Sequence, residues 1–147
     1  MSVAAVILIV VFVAVAMWAY FTAQRLNRLH IRTDAARKSL EAALNRRAAV
    51  VAAIDPEAAR AADRAEAIDL HYGNFRKRAE AERAVTQIIA GLGSEPSARI
   101  VDANVRVDLA LRFYNEAVAD TRALRLRPTV RYTRLGGTAA LSEFFEF

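Results

Sequence analysis

An all-α protein is predicted, in which an N-terminal transmembrane helix continues into a long antiparallel bundle of three to four helices. Residues 3–21 run for 19 positions without a charge, glycine or proline. No glycine or proline follows until Pro56. Apolar residues then recur in alternating steps of three and four through most of the chain, the spacing of a buried helical stripe.

The first element is the membrane span. Nineteen helical residues rise about 28 Å, close to the hydrocarbon thickness of a bilayer. Trp18, Tyr20 and Phe21 close the run with amphipathic rings suited to the lipid–water interface. The competing interpretation is a cleaved secretory signal, with Ala14-Val15-Ala16 as a small-residue cleavage site. No basic region precedes the apolar run, however, and the run exceeds a usual signal core, so an anchor is expected. Basic residues follow the span closely: Arg25, Arg28, Arg32, Arg37 and Lys38. The positive-inside rule then places the N-terminus outside and the rest in the cytoplasm. The chain divides into an anchor, residues 1–24, and a cytoplasmic domain, residues 25–147.

The anchor helix is expected to run on without a break. Leu26, Leu29, Thr33, Ala36, Leu40, Ala43, Arg47, Val50 and Ile54 form a coiled-coil-like stripe over four heptads. Arg47 interrupts it, with its stem along the seam and its head directed to solvent or a carboxylate. Asp55-Pro56-Glu57 is a helix start, with an N-cap acceptor, proline at the first position and acid in the first turn, where the chain either kinks or turns into a second helix. Residues 57–72 are helical by propensity until Gly73-Asn74 interrupts them. From Phe75 a stripe of Ala79, Glu82, Val85, Ile88, Ile89 and Leu92 predicts another helix, ended by the loop at 91–97. Ile100, Asn104, Val107, Leu111, Tyr114, Val118 and Thr121 mark the last long helix, from Ser97 or Ala98 to about Leu126. The tail carries Gly136-Gly137 and then Phe144, Phe145 and Phe147, aromatics expected to pack back on the bundle.

The net charge of +5 is concentrated at residues 25–54, a basic collar suited to anionic lipid. No nucleic-acid module accompanies it, so nucleic acid is not an expected partner. Nineteen arginines against two lysines, beside 32 alanines, reflect a compositional bias more than a chemical message. With no cysteine in the chain, disulfides, thiolate catalysis and Cys-based metal sites are excluded.

Other chemistry finds little support. His30 and His71 belong to no Glu-x-x-His or His-x-x-x-His pattern, and Asp69 is two residues from His71, on a different helical face. Gly91-Leu92-Gly93-Ser94 lacks the strand-to-helix context of a nucleophile elbow and the lysine of a phosphate loop. Glu80–Glu82 and Glu143–Glu146 have the look of solvated faces. No enzyme activity, cofactor or metal is expected. Tyr114 falls on a buried stripe, its hydroxyl needing one partner. Asn115 lies beside it, where an amide can fix register across a helix seam. Contact with a small ligand between helices is the alternative for this pair.

The order of features resembles the LemA family of bacterial membrane proteins, with one transmembrane helix and a cytoplasmic bundle. In the long first helix, Leu44, Arg46 and Arg47 match a Leu-Lys-Arg-Arg motif, while alanines replace the acidic, proline and asparagine residues that follow it. In the later helix Arg112, Tyr114, Asn115, Val118 and Pro128 match the family spacing. Thr121 and Arg122 replace a second Tyr-Asn, and Arg127 replaces a phenylalanine. The ending Glu143–Phe147, "EFFEF", also resembles the family's close. The resemblance implies localisation at a bacterial inner membrane and a scaffold or interaction role, with no defined catalytic activity. The expected partners are the bilayer and an unidentified membrane or cytoplasmic protein, a homo-oligomer also being open. The alternatives are an accessory subunit of a respiratory or transport complex, recognised through Ala4, Ala5, Ala14, Ala16 and Ala19 in the membrane, and a ligand-binding regulatory module.

Overall fold

The structure is a computed structural model describing residues 2–93, 97–137 and 140–147. Residues 94–96 of the expected loop lie outside the described residues. The described elements are helices, with no strand among them: α1 (Val3–Ile54), α2 (Pro56–Glu66), α3 (Phe75–Gly91), α4 (Ala98–Arg125) and the short α5 (Pro128–Tyr132).

Helix α1 is one unbroken rod of 52 residues, about 78 Å long. Its Ser2 cap accepts a hydrogen bond from the Ala5 N–H. It is long and apolar enough to cross a membrane: the most apolar stretch has a mean hydropathy of 2.8, and none of it is buried. Beyond Phe21 the helix acquires a buried face made of Leu26, Thr33, Leu40, Leu44, Arg47, Ala48 and Val51. That face follows the expected stripe as far as Leu40 and then moves one position on. Val51 is buried in place of Val50, and Ile54 is 43 % exposed. A straight helix drifts by about 20° per heptad against a strict seven-residue repeat, so the seam migrates around α1.

Asp55 and Pro56 start a new helix as expected, with Asp55 Oδ1 accepting the Glu57 N–H at 2.9 Å. Of the two open courses, a kink or a turn into a second helix, the chain takes the second. Helix α2 returns along α1, burying Ala58, Ala61, Ala62 and Ala65. Of these small side chains Ala58, Ala61 and Ala65 give, with Val51 and Val85, one compact core. The helix ends at Glu66, six residues before the predicted stop at Tyr72. Three charged side chains take the backbone groups that a longer helix would use internally. Arg78 Nη1 donates to the Ile68 carbonyl at 2.6 Å, the Leu70 N–H donates to Glu41 Oε1 at 2.7 Å, and Arg37 Nη1 donates to the Leu70 carbonyl. Leaving the helix also buries Leu70 completely.

Helix α3 runs alongside the outer half of α1, from Phe75 near Leu40 to Val85 near Val51. Helix α4, capped by Ser97, is antiparallel to α1 and packs along most of its buried face. Thr33 and Thr121 share a buried hydrogen bond at 3.0 Å, and Leu26 meets Leu124. The five-residue α5, absent from the sequence expectation, opens with Pro128 and buries Val130 against Leu26 and Leu124. The tail then passes back over the bundle in extended form, and Phe145 enters the main core with Leu40, Leu44, Phe75, Tyr114 and Val118.

Candidate functional site

Three features of the bundle go beyond ordinary apolar packing: two are built around α4 and the tail, and one joins α1 to α3. The first is a channel that holds residues 140–147, with α4 along one side and α1, Tyr72 and the start of α3 along the other. The tail has no backbone ladder of its own, so side chains of the bundle take up its peptide groups. Asn115 clasps Phe145 from both sides: its Nδ2 donates to the Phe145 carbonyl and its Oδ1 accepts the Phe145 N–H, each at 3.0 Å. Tyr114 OH donates to the Glu143 carbonyl at 2.7 Å. Arg122 reaches the Ser142 carbonyl at 3.3 Å, and Arg125 reaches that of Ala140 at 2.9 Å. Gly136 makes room for Arg125, since a Cβ there would lie 3.2 Å from its Nε.

Side chains of the tail complete the arrangement. The Phe145 ring meets Phe75 edge-on at 5.3 Å, and Arg47 lies over Phe147 at 5.0 Å from the ring centroid. Arg122 covers Phe144 in the same manner at 5.3 Å. Such cation–π and edge-to-face contacts add to the area each ring buries. Burial also pushes the Tyr114 hydroxyl well above the ordinary tyrosine range, helped by the nearby Tyr72. It therefore stays a donor at any physiological pH.

The second feature is a buried charge network. Glu82 is fully buried, not solvated as its pairing with Glu80 had implied. Its Oε2 accepts from Arg47 Nη2 at 2.6 Å and its Oε1 from Arg78 Nε at 2.8 Å. Arg78 Nη2 donates to Asn45 Oδ1 at 2.6 Å, so this guanidinium is fixed on three sides. Arg47 Nε is buried with no hydrogen-bond partner among the described residues. Two buried cations around one carboxylate hold α1, α3 and the segment that follows α2 in one register, the use to which buried charge is best put.

The third feature is an exposed apolar stripe on α4. Val101, Val105, Leu109 and Phe113 recur every four residues and are 46, 59, 51 and 55 % exposed. A shallow groove follows the stripe, lined by Val105, Asp108, Leu109, Leu111, Arg112 and Asn115. Asp102 and Arg106 pair at 2.9 Å nearby, and that hydrogen bond holds the Asp102 carboxyl below its usual range.

The residues singled out by sequence distribute unevenly over these features. Tyr114 and Asn115 come together in the tail channel. Asn115, however, binds the tail backbone and not a neighbouring helix, because the last residues lie where a seam partner would be. Val118 is buried beneath them, Arg112 lies exposed in the groove, Arg46 is exposed on α1 and Arg47 belongs to the charge network. Pro128 stands apart as the first residue of α5. Trp18, Tyr20 and Phe21 are exposed at the end of the apolar run, as are Arg25 and Arg28 one to two turns on. Arg32 pairs with Asp120 at 3.0 Å, linking the collar to α4. Sequence reasoning passed over Arg78 and the α4 stripe. A clue to Arg78 was its spacing of four from Glu82, on the stripe beginning at Phe75. Among the described residues, no three His, Cys, Asp or Glu side chains are grouped to hold a metal ion. Comparison with protein-family models, curated proteins and solved structures gives no significant match.

Proposed function

We propose that this chain is a non-enzymatic, single-pass membrane scaffold whose cytoplasmic bundle binds a protein partner through the exposed face of α4. The observation that carries this reading is the stripe of Val101, Val105, Leu109 and Phe113, left in solvent on a helix whose opposite face is fully packed. Contiguous apolar surface rimmed by charge is the usual mark of a protein interaction site. The α4 stripe follows the four-residue ridge that two helices interdigitate when they cross at about −50°. The apolar N-terminal third of α1 supplies the anchor, and Arg25, Arg28 and Arg32 favour an outside N-terminus with the collar on anionic lipid. The LemA-like order of anchor, long first helix, Tyr114–Asn115 and aromatic ending supports the same role in a bacterial plasma membrane.

The test compares wild type with Leu109→Glu, each full chain purified in mild detergent from its native host with quantitative mass spectrometry. A partner held through the stripe is expected to fall by about tenfold or more, equivalent to about 1.4 kcal/mol. The unfolding midpoint should hardly move, because substitutions at exposed positions usually stay within about 0.5 kcal/mol. A partner kept by Leu109→Glu but lost on exchanging residues 3–21 for a generic apolar helix would sink this reading. It would move recognition into the membrane, as an accessory subunit requires.

A further inference from the structure

We infer that the channel holding residues 140–147 is a docking site for the same segment of a second copy of this chain, exchanged between copies anchored in one membrane. The inference concerns a different surface from the α4 stripe, and the two can fail separately.

The channel is built as a peptide site is built. Its occupant is extended, and bundle side chains from far along the chain read its backbone: Tyr114 at Glu143 and Asn115 on both groups of Phe145. Aromatic side chains supply the remaining recognition, with Phe145 fully buried and Phe144 and Phe147 each under an arginine. Charge is complementary as well. The segment carries Glu143 and Glu146, and the walls carry Arg76 and Arg83 beside Phe144–Glu146 and Arg122 and Arg125 farther along.

None of these contacts requires that segment and channel belong to one molecule. The segment is joined to α4 only through α5, which buries Val130, and a turn in which Gly137 has a φ of +64°. A tail from a neighbour reproduces every contact, the condition under which exchange of identical elements makes a dimer at little cost. The only segment seen to fit the channel is the chain's own, which makes a second copy the occupant best supported. Anchoring through α1 gives all copies one orientation and one height, and so raises the effective concentration of each tail at its neighbour's channel.

The test uses full chains in phosphatidylcholine–phosphatidylglycerol vesicles. A Phe145→Ala chain, whose own tail has lost its anchor, is titrated with a fluorescent peptide of residues 140–147. It should bind at least about tenfold more tightly than wild type, whose tail competes, and a peptide with the same Phe145→Ala change should not bind. Differently tagged Phe145→Ala and Asn115→Ala chains, one an acceptor and the other a donor, should then co-purify from one vesicle about tenfold better than two wild-type chains. Leu109→Glu should leave both signals intact. Failure of a helical, cooperatively folding Phe145→Ala chain to take the peptide would overturn the inference. So would peptide binding with no association between chains. Should Phe145→Ala not fold, hydrogen exchange in the wild-type chain decides. Exchange of the Phe145 N–H ahead of the α4 amides around Val118 supports a releasable tail, and exchange of both in one global step overturns it.

Discussion

Tyr114 has its ring fully buried on α4 and its hydroxyl on the Glu143 carbonyl, so removing the hydroxyl takes away that hydrogen bond and its interaction with Tyr72 and leaves the ring in place. Tyr114→Phe is therefore expected to lower the unfolding free energy by about 1 kcal/mol, measured by denaturant titration of the full chain in micelles. Unchanged stability would return the residue to the ligand-contact alternative. A larger effect belongs to Glu82, among the described residues the one carboxylate bonded to both buried guanidinium groups of Arg47 and Arg78. Glu82→Ala strands two buried cations, and a loss of about 3–5 kcal/mol is expected in the same titration. These two residues differ in how far the sequence exposed them. Tyr114 lies on a clean three-and-four stripe, and burial with one hydroxyl partner follows from that alone. Glu82 also lies on its stripe, but its two-residue spacing from Glu80 resembles an ordinary wet surface. Its partners lie 35 residues back in α1 and four residues back in α3, and only the fold brings both to one carboxylate.

Among the elements, α2 shows what local signals can and cannot determine. Its start is written in Asp55-Pro56-Glu57, and Asp55 caps it in the expected way. Asp55→Ala should cost about 1 kcal/mol, seen as a lower unfolding midpoint with α1 helicity retained. Its end is not locally written. Residues 67–72 have acceptable helix propensity, but propensity is a weak prior that distant contacts override. Glu41, Arg37 and Arg78 provide those contacts from α1 and α3, and Leu70 gains full burial. The tail is a similar case. Its three phenylalanines predicted packing against the bundle, but the route past Asn115 depends on a channel that exists only when α3 and α4 are in place. Helix α5 was hidden for a simpler reason. Five residues are too few for a periodic pattern, and Pro128 reads equally as a stop or a start.

The whole molecule was the most legible scale. An apolar run, one uninterrupted first helix, a capped helix start at Asp55 and a final long helix all follow from residue spacing, whereas the choice of a reversal over a kink at Pro56 does not. The α4 stripe at 101, 105, 109 and 113 was the omission, because periodicity identifies an apolar line without saying whether another helix covers it. The same spacing of three and four describes a core face and a docking face. The absence of glycine or proline from residue 3 to residue 54 has a further mechanical meaning. With no hinge, the compass bearing of the bundle about the α1 axis is locked to that of the apolar N-terminal segment, like a weathervane on its spindle. Inserting two alanines after Thr22 should swing the α4 stripe by about 200°, whereas four should swing it by about 400° and nearly restore its heading. A partner that is itself fixed in the membrane should therefore be lost with two added residues and regained with four, in co-purification from the same cells.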